Sequence, residues 1–179
     1  MSVTVRRAST HELRPTELTA LRRMTSAAWE EGDFTDLDWE HGTGGIHVVV
    51  EEAGEILSHG SVVERTLEID GVAVRTGYVE AVATWPRHQR RGYATLVMHE
   101  IGEIIRGEYA LGGLSTPVPR FYERLGWELW KGPTFLRTAA GLERTADDDG
   151  GIMILRTPTS PLFDVSSDLS CEWRSGDVW

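Results

Sequence analysis

A chain of 179 residues, 40% hydrophobic and 26% charged, carries enough apolar material for one packed domain and too much for a disordered segment. Its 28 acidic residues outnumber 18 basic ones, and the formal charge of −10 argues against nucleic-acid binding by bulk electrostatics and favours cationic small molecules as partners. A lone cysteine, Cys171, excludes an internal disulfide and a thiolate zinc cluster, and no apolar run nears the ~20 residues of a membrane span, so a soluble cytoplasmic protein without a metal is expected.

No repeat or linker divides the chain, which reads as one domain over residues 1–179. Leu18, Leu21, Met24, Ala28 and Trp29 recur at helical spacing across residues 16–30, with Thr16 as the expected N-cap and Glu17 in the first turn. Residues 32–40, dense in carboxylates and aromatics, read as a loop. Stretches 46–50, 56–64 and 66–78 are rich in β-branched residues and carry the turn pairs Ala53-Gly54 and Asp70-Gly71, the second a strong hairpin signal. A strand over 77–85 is stopped by Pro86. Leu96, Val97, Ile101, Ile104 and Ile105 then line one face of a helix over 92–106, followed by a strand over 109–115 and a short helix over 120–125. This order predicts a mixed α/β domain.

The segment Gln89-Arg90-Arg91-Gly92-Tyr93-Ala94 lies between a predicted strand and a predicted helix. Free amides at a helix N-terminus, the helix dipole and a glycine that permits close approach make an anion cradle suited to a pyrophosphate. There is no G-x-G-x-x-G and no G-x-x-x-x-G-K-[ST], so dinucleotide and P-loop readings lack their geometry. The segment resembles the Q/R-x-x-G-x-G/A signature of the GNAT superfamily of N-acetyltransferases. Phe121-Tyr122-Glu123-Arg124-Leu125-Gly126-Trp127 resembles the F-Y-x-x-L-G-[FW] element of the same enzymes. The resemblance implies the GNAT fold, a central, mostly antiparallel sheet splayed at the cofactor strand and flanked by helices. It also implies acetyl-CoA as donor and CoA as product.

Further stretches, Gly32-Asp33-Phe34-Thr35, Asp38-Trp39-Glu40-His41, Gly77-Tyr78-Val79-Glu80, Asp147-Asp148-Asp149-Gly150 and the terminal Trp173 to Trp179, are similar to aminoglycoside 2′-N-acetyltransferases within that superfamily. That likeness implies an aminoglycoside with a free 2′-amine as acceptor and a homodimer. It assigns Glu80 as a base acting through water, since a carboxylate near pKa 4.3 is poorly matched to an ammonium near 10.4. Tyr122 is the matching acid. Val82, Ala83, Thr84, Gln89, Arg90, Arg91, Gly92, Tyr93 and Ala94 are expected to hold the cofactor, with the Val82 and Thr84 N–H groups toward the thioester and pantetheine. Asp33, Asp38, Glu80, Ala81, Ser115, Asp147, Asp148, Asp177 and Trp179 are expected to hold the substrate, the indole of Trp179 stacking on a sugar or cation. His41 and His47 read as structural. The alternatives are acetylation of a polyamine, amino sugar or peptide amine, or a non-catalytic binder of CoA or cationic antibiotic.

Overall fold

Both turn pairs form as their residues predict. Ala53 and Gly54 take φ of 51° and 81°, Asp70 and Gly71 take 49° and 77°, and two successive positive φ values match the twist of the flanking strands. In the computed structural model, which describes residues 2–29 and 34–179, these turns join β2 (Ile46–Glu52), β3 (Glu55–Ile69) and β4 (Val72–Thr84). The expected break near residue 65 and the separate strand over 77–85 are absent. β3 runs unbroken to the Asp70-Gly71 turn, and β4 continues from it to Thr84. Described residues divide into two compact units, Met1–Val63 with Val79–Glu103, and Glu64–Tyr78 with Ile104–Trp179.

In the first unit β1 (Val3–Ser9) pairs antiparallel with β2, and β2 with β3. β1 was not expected from the sequence. Its residues are mostly exposed and include Arg6 and Arg7, the composition of a guarded edge strand, so no apolar alternation announces it. Helix α1 (Pro15–Ala28) is capped at Arg14, not at Thr16, because Pro15 occupies the first helical position and Glu17 bonds back to the Arg14 N–H at 2.9 Å. Leu21 and Met24 pack with Leu13, Val49 and Ala83. The expected loop over 32–40 contains a helix, α2 (Asp36–His41). Its start is a capping box, Thr35 accepting from the Asp38 N–H while the Asp38 carboxylate accepts from Thr35 at 2.7 Å. Helix α3 (Tyr93–Glu108) begins here, one residue after Gly92, with Val97 and Ile101 fully buried.

In the second unit the strands are β5 (Leu111–Ser115), β6 (Glu128–Leu129), β7 (Thr134–Thr138), β8 (Gly141–Arg144), β9 (Ile152–Arg156) and β10 (Leu169–Glu172), with α4 (Pro119–Glu123) between β5 and β6. Their order, β6-β9-β5-β4-β3-β10-β7-β8, is antiparallel except where β4 meets β5 and β7 meets β10. Pairs between β4 and β5 run from Thr76 to Tyr78 of β4. Ile152 to Leu155, Leu111, Leu114, Trp127 and Trp130 fill the core. The mixed α/β, mostly antiparallel architecture is the one expected. No described helix is long and apolar enough to cross a membrane.

Candidate active site

The cradle turn is built as its sequence requires. Arg90 and Gly92 take φ of 61° and 85°, and such left-handed positions turn successive amides toward one concavity. The Gly92 carbonyl accepts the first α3 bond from Leu96 at 3.1 Å, which leaves the first amides of α3 without intrahelical partners. Gln89, Arg90, Arg91 and Gly92 are exposed, while Tyr93 and Ala94 are half-buried. A Cβ placed on Gly92 would meet nothing within 4 Å, so the backbone is open to approach. Two guanidinium groups and an amide-lined helix start fit a diphosphate. Nearby Arg87 is held at 2.5 Å by Glu55 and lies 4.8 Å over the Trp85 ring.

Upstream on β4, Ala81 takes φ of 52°, a conformation rare for alanine and absent from regular strands. Side chains of β3 tie down the carbonyls around it. Ser61 donates to Glu80 O at 3.2 Å, His59 Nδ1 to Ala81 O at 3.1 Å, and Ser58 to Ala83 O at 2.9 Å. Ser58 Oγ also lies 2.7 Å from Thr84 Oγ1, and Gln89 reaches Thr84 O at 3.5 Å. Glu80 and Val82 are half-buried, whereas Ala81, Ala83 and Thr84 are buried. His47, read as structural, is buried beside His59. Sequence reasoning passed over Ser58, His59 and Ser61. Their signal was a polar run inside an otherwise apolar strand, where each buried hydroxyl or ring nitrogen must find a partner. Asp38 belongs to the α2 capping box through Oδ2, and Asp33 lies outside the described residues. A groove of about 680 Å³ is lined by Thr19, Arg22, Arg23, Ser26, Ala27 and Trp85, with Arg22 paired to Asp36.

The second unit holds the remaining expected residues. Tyr122 on α4 is buried, edge-on to Phe121 at 4.8 Å and to Trp127 at 6.3 Å. Burial pushes its phenol up to about 12 despite a hydrogen bond with Thr116. The Leu125, Gly126 and Trp127 amides fold back on Tyr122 and Glu123, with Gly126 at φ 88° closing the turn. Ser115 ends β5 and is exposed. Within the Asp147–Asp149 run the three carboxylates have separate fates. Asp149 is bound by Arg144 and Thr134, which hold its carboxyl low. Asp147 is exposed. Burial, and next the negative charge of Asp177, raise the Asp148 carboxyl.

Trp179 does not meet its expectation. Its indole is 2% exposed and donates to Thr145 Oγ1 at 2.9 Å, so it has no face to offer a sugar. Arg174 instead donates to Trp179 O at 3.1 Å, and the Trp179 amide donates to Asp177 Oδ1 at 3.1 Å. Arg65, itself buried, donates to Val178 O at 2.9 Å and to the Glu172 carboxylate at 3.1 Å. The terminal segment is thereby a fixed platform that presents Asp177.

Known proteins give this arrangement its context. A family model described as an acetyltransferase (GNAT) domain matches residues 10–130. An aminoglycoside 2′-N-acetyltransferase of Mycolicibacterium fortuitum is 41% identical over 162 residues, covering 88% of this chain and 83% of the relative. A GNAT family acetyltransferase from Brucella melitensis, solved in complex with acetyl-CoA, shares the fold with a TM-score of 0.64 at 16% identity over 97% of both chains. A GNAT family N-acetyltransferase from Escherichia coli, solved in complex with CoA, does so with a TM-score of 0.67 at 13% identity, over 94% of this chain and 89% of that one. With its cradle turn and its F-Y-x-x-L-G-W element in place, the chain belongs to the GNAT acetyltransferase family.

Proposed function

We propose that this protein transfers an acetyl group from acetyl-CoA to the 2′-amine of aminoglycosides, and so removes a positive charge that makes them effective antibiotics. The observation that carries the acceptor class is the pairing of Asp148 with Asp177, in which the Asp148 carboxyl is raised first by burial and next by the negative charge of Asp177. Such a pair gains most from a ligand that brings ammonium groups. The 41% identical aminoglycoside 2′-N-acetyltransferase supports the same reading.

Bound acetyl-CoA supplies an acyl carbon activated by a thiolate leaving group. Arg90, Arg91 and the first amides of α3 hold its diphosphate. Glu80 takes a proton from the acceptor's ammonium through water, which frees the neutral amine to attack. The Val82 N–H, just past the left-handed Ala81, faces the negative charge that grows on the thioester oxygen. Tyr122 stays protonated throughout the neutral range. With its phenol near 12 and a thiol near 8.5, complete transfer is uphill by about 5 kcal/mol. The phenol therefore steadies the departing sulfur by a hydrogen bond. The acidic net charge and single buried thiol fit a cytoplasmic enzyme that binds no nucleic acid, and the motif resemblance seen in the sequence implies a homodimer.

Product mapping by NMR tests this reading. Tobramycin, which has a 2′-amine, is expected to give a single 2′-N-acetyl product, and kanamycin A, which has a 2′-hydroxyl, none. Acetylation of kanamycin A at any amine defeats the regiochemistry. Thiol release with polyamines but not with tobramycin defeats the acceptor class.

A further inference from the structure

The molecule contains a hydrogen-bonded chain that the reaction scheme above does not use. His47 and His59 are both 0% exposed, their rings stacked at 5.1 Å. His59 Nδ1 lies 3.1 Å from Ala81 O. A carbonyl only accepts, so Nδ1 carries the proton, and a neutral His59 then presents Nε2 as an acceptor. His47 Nδ1, 2.8 Å away, must donate to it. His47 Nε2 consequently accepts from Thr10 Oγ1 at 2.9 Å, a shorter contact than the 3.4 Å from that hydroxyl to Gly45 O. Thr10 Oγ1 in turn accepts the Gly44 amide at 2.8 Å. Every bond from Gly44 to Ala81 therefore points one way, and bonds aligned in this fashion polarise one another. Trp39 sits 6.5 and 6.3 Å from the two rings and shields them.

The end of the chain is the informative part. Ala81 O and the Val82 N–H belong to one peptide unit, which is trans, so they point in opposite directions from one rigid plane. Fixing the oxygen aims the N–H. Donation into the carbonyl also makes that N–H a stronger donor. The left-handed φ of Ala81 costs about 1–3 kcal/mol and persists only where its surroundings over-determine it. Here they do so through His59, with Ser61 and Ser58 on the neighbouring carbonyls.

We propose that His59, held in its tautomer by His47 and Thr10, is a positioning residue that aims and polarises the Val82 N–H toward the thioester oxygen. The inference rests on the donor role of Val82 stated above. It makes no proton relay, because the chain ends on a carbonyl that cannot pass a proton onward.

The test combines steady-state kinetics with the Val82 amide signal in ¹⁵N–¹H spectra, recorded with acetyl-CoA and no acceptor. His59→Leu is expected to lower kcat about 10–100-fold, less than or equal to the loss of a whole oxyanion donor, with KM for acetyl-CoA changed by less than about threefold. It is also expected to abolish the downfield move of the Val82 amide proton that acetyl-CoA causes in the parent protein. His59→Asn keeps an N–H near the Nδ1 position and is expected to restore both readouts to within about fivefold. Should His59→Leu not fold, Thr10→Val leaves both rings in place and removes the proton offered to His47, with a smaller loss in the same direction expected. A parent Val82 signal that acetyl-CoA leaves unmoved overturns the donor role and this proposal with it. A signal that moves equally in the parent and in His59→Leu or Thr10→Val, or an unchanged kcat, overturns the proposal alone.

Discussion

Acidification tests the buried imidazole pair through stability. In an unfolded chain a histidine of ordinary pKa 6.5 is almost fully protonated at pH 5. In the fold, burial holds His47 down at about 4 and His59 at about 3, so at pH 5 both rings remain mostly neutral. The unfolded chain thus binds more protons between about pH 6.5 and pH 4. Stability is complete above that window and falls as pH drops into it. Taking protonation of the unfolded rings from pH 7 to pH 5 gives about 2 kcal/mol for each, about 4 kcal/mol together. Carboxylates held low, such as Glu17 at about 2 beside Arg14, lose their contribution only below about pH 4.5, so the chosen interval isolates the rings. Urea unfolding followed by tryptophan fluorescence at pH 7 and pH 5 measures the loss. The double variant His47→Asn, His59→Asn, which cannot titrate there, provides the reference and cancels the exposed histidines. The parent is expected to lose about 4 kcal/mol more than the variant. Equal losses in the two proteins would refute the neutral, inward-facing pair.

Other expectations concern chemistry and backbone. Glu80→Gln should lower kcat about 10²–10⁴-fold and Tyr122→Phe at least about tenfold, with acetyl-CoA affinity by calorimetry little changed; equal losses in rate and affinity would make both residues binding elements. Asp148→Asn should raise KM for tobramycin by about 10–100-fold, the worth of one charge-assisted bond, and leave KM for acetyl-CoA unchanged. Because its carboxyl is raised, the parent's KM for tobramycin should climb on acidification before that of Asp148→Asn does, and parallel pH profiles would count against the pair. Two glycine replacements should differ sharply in thermal unfolding. A Cβ at Gly45 would fall 1.9 Å from Val62 O, so Gly45→Ala should cost about 3 kcal/mol or more, whereas Gly92→Ala, with open space and only its φ of 85° against it, should cost about 1–2 kcal/mol.

Several parts of the fold are legible in the sequence alone. The two positive-φ turns, the apolar face of α3 and the stop at Pro86 follow from dihedral preferences and periodicity, which act within a few residues. Reading residues 32–40 as a loop missed α2, although Thr35 and Asp38 stand at capping-box spacing. β6 and β8 are not legible in the sequence, because β6 has two residues and β8 is wholly exposed, leaving no apolar alternation to detect.

For the candidate site the division is sharper. The cradle turn and Tyr122's place on α4 could be named from the chain because each is a continuous segment whose backbone chemistry is local. Tertiary structure alone decided that Arg144 neutralises Asp149 while Asp148 is left to Asp177, and that the Trp179 indole is buried. It also decided that Thr10, His47 and His59, separated by 37 and 12 residues, form one directed chain ending on Ala81. A buried polar group takes whichever partner the neighbouring strands bring within 3 Å, and strand neighbours are chosen by the packing of the whole core rather than by the residues beside them in sequence.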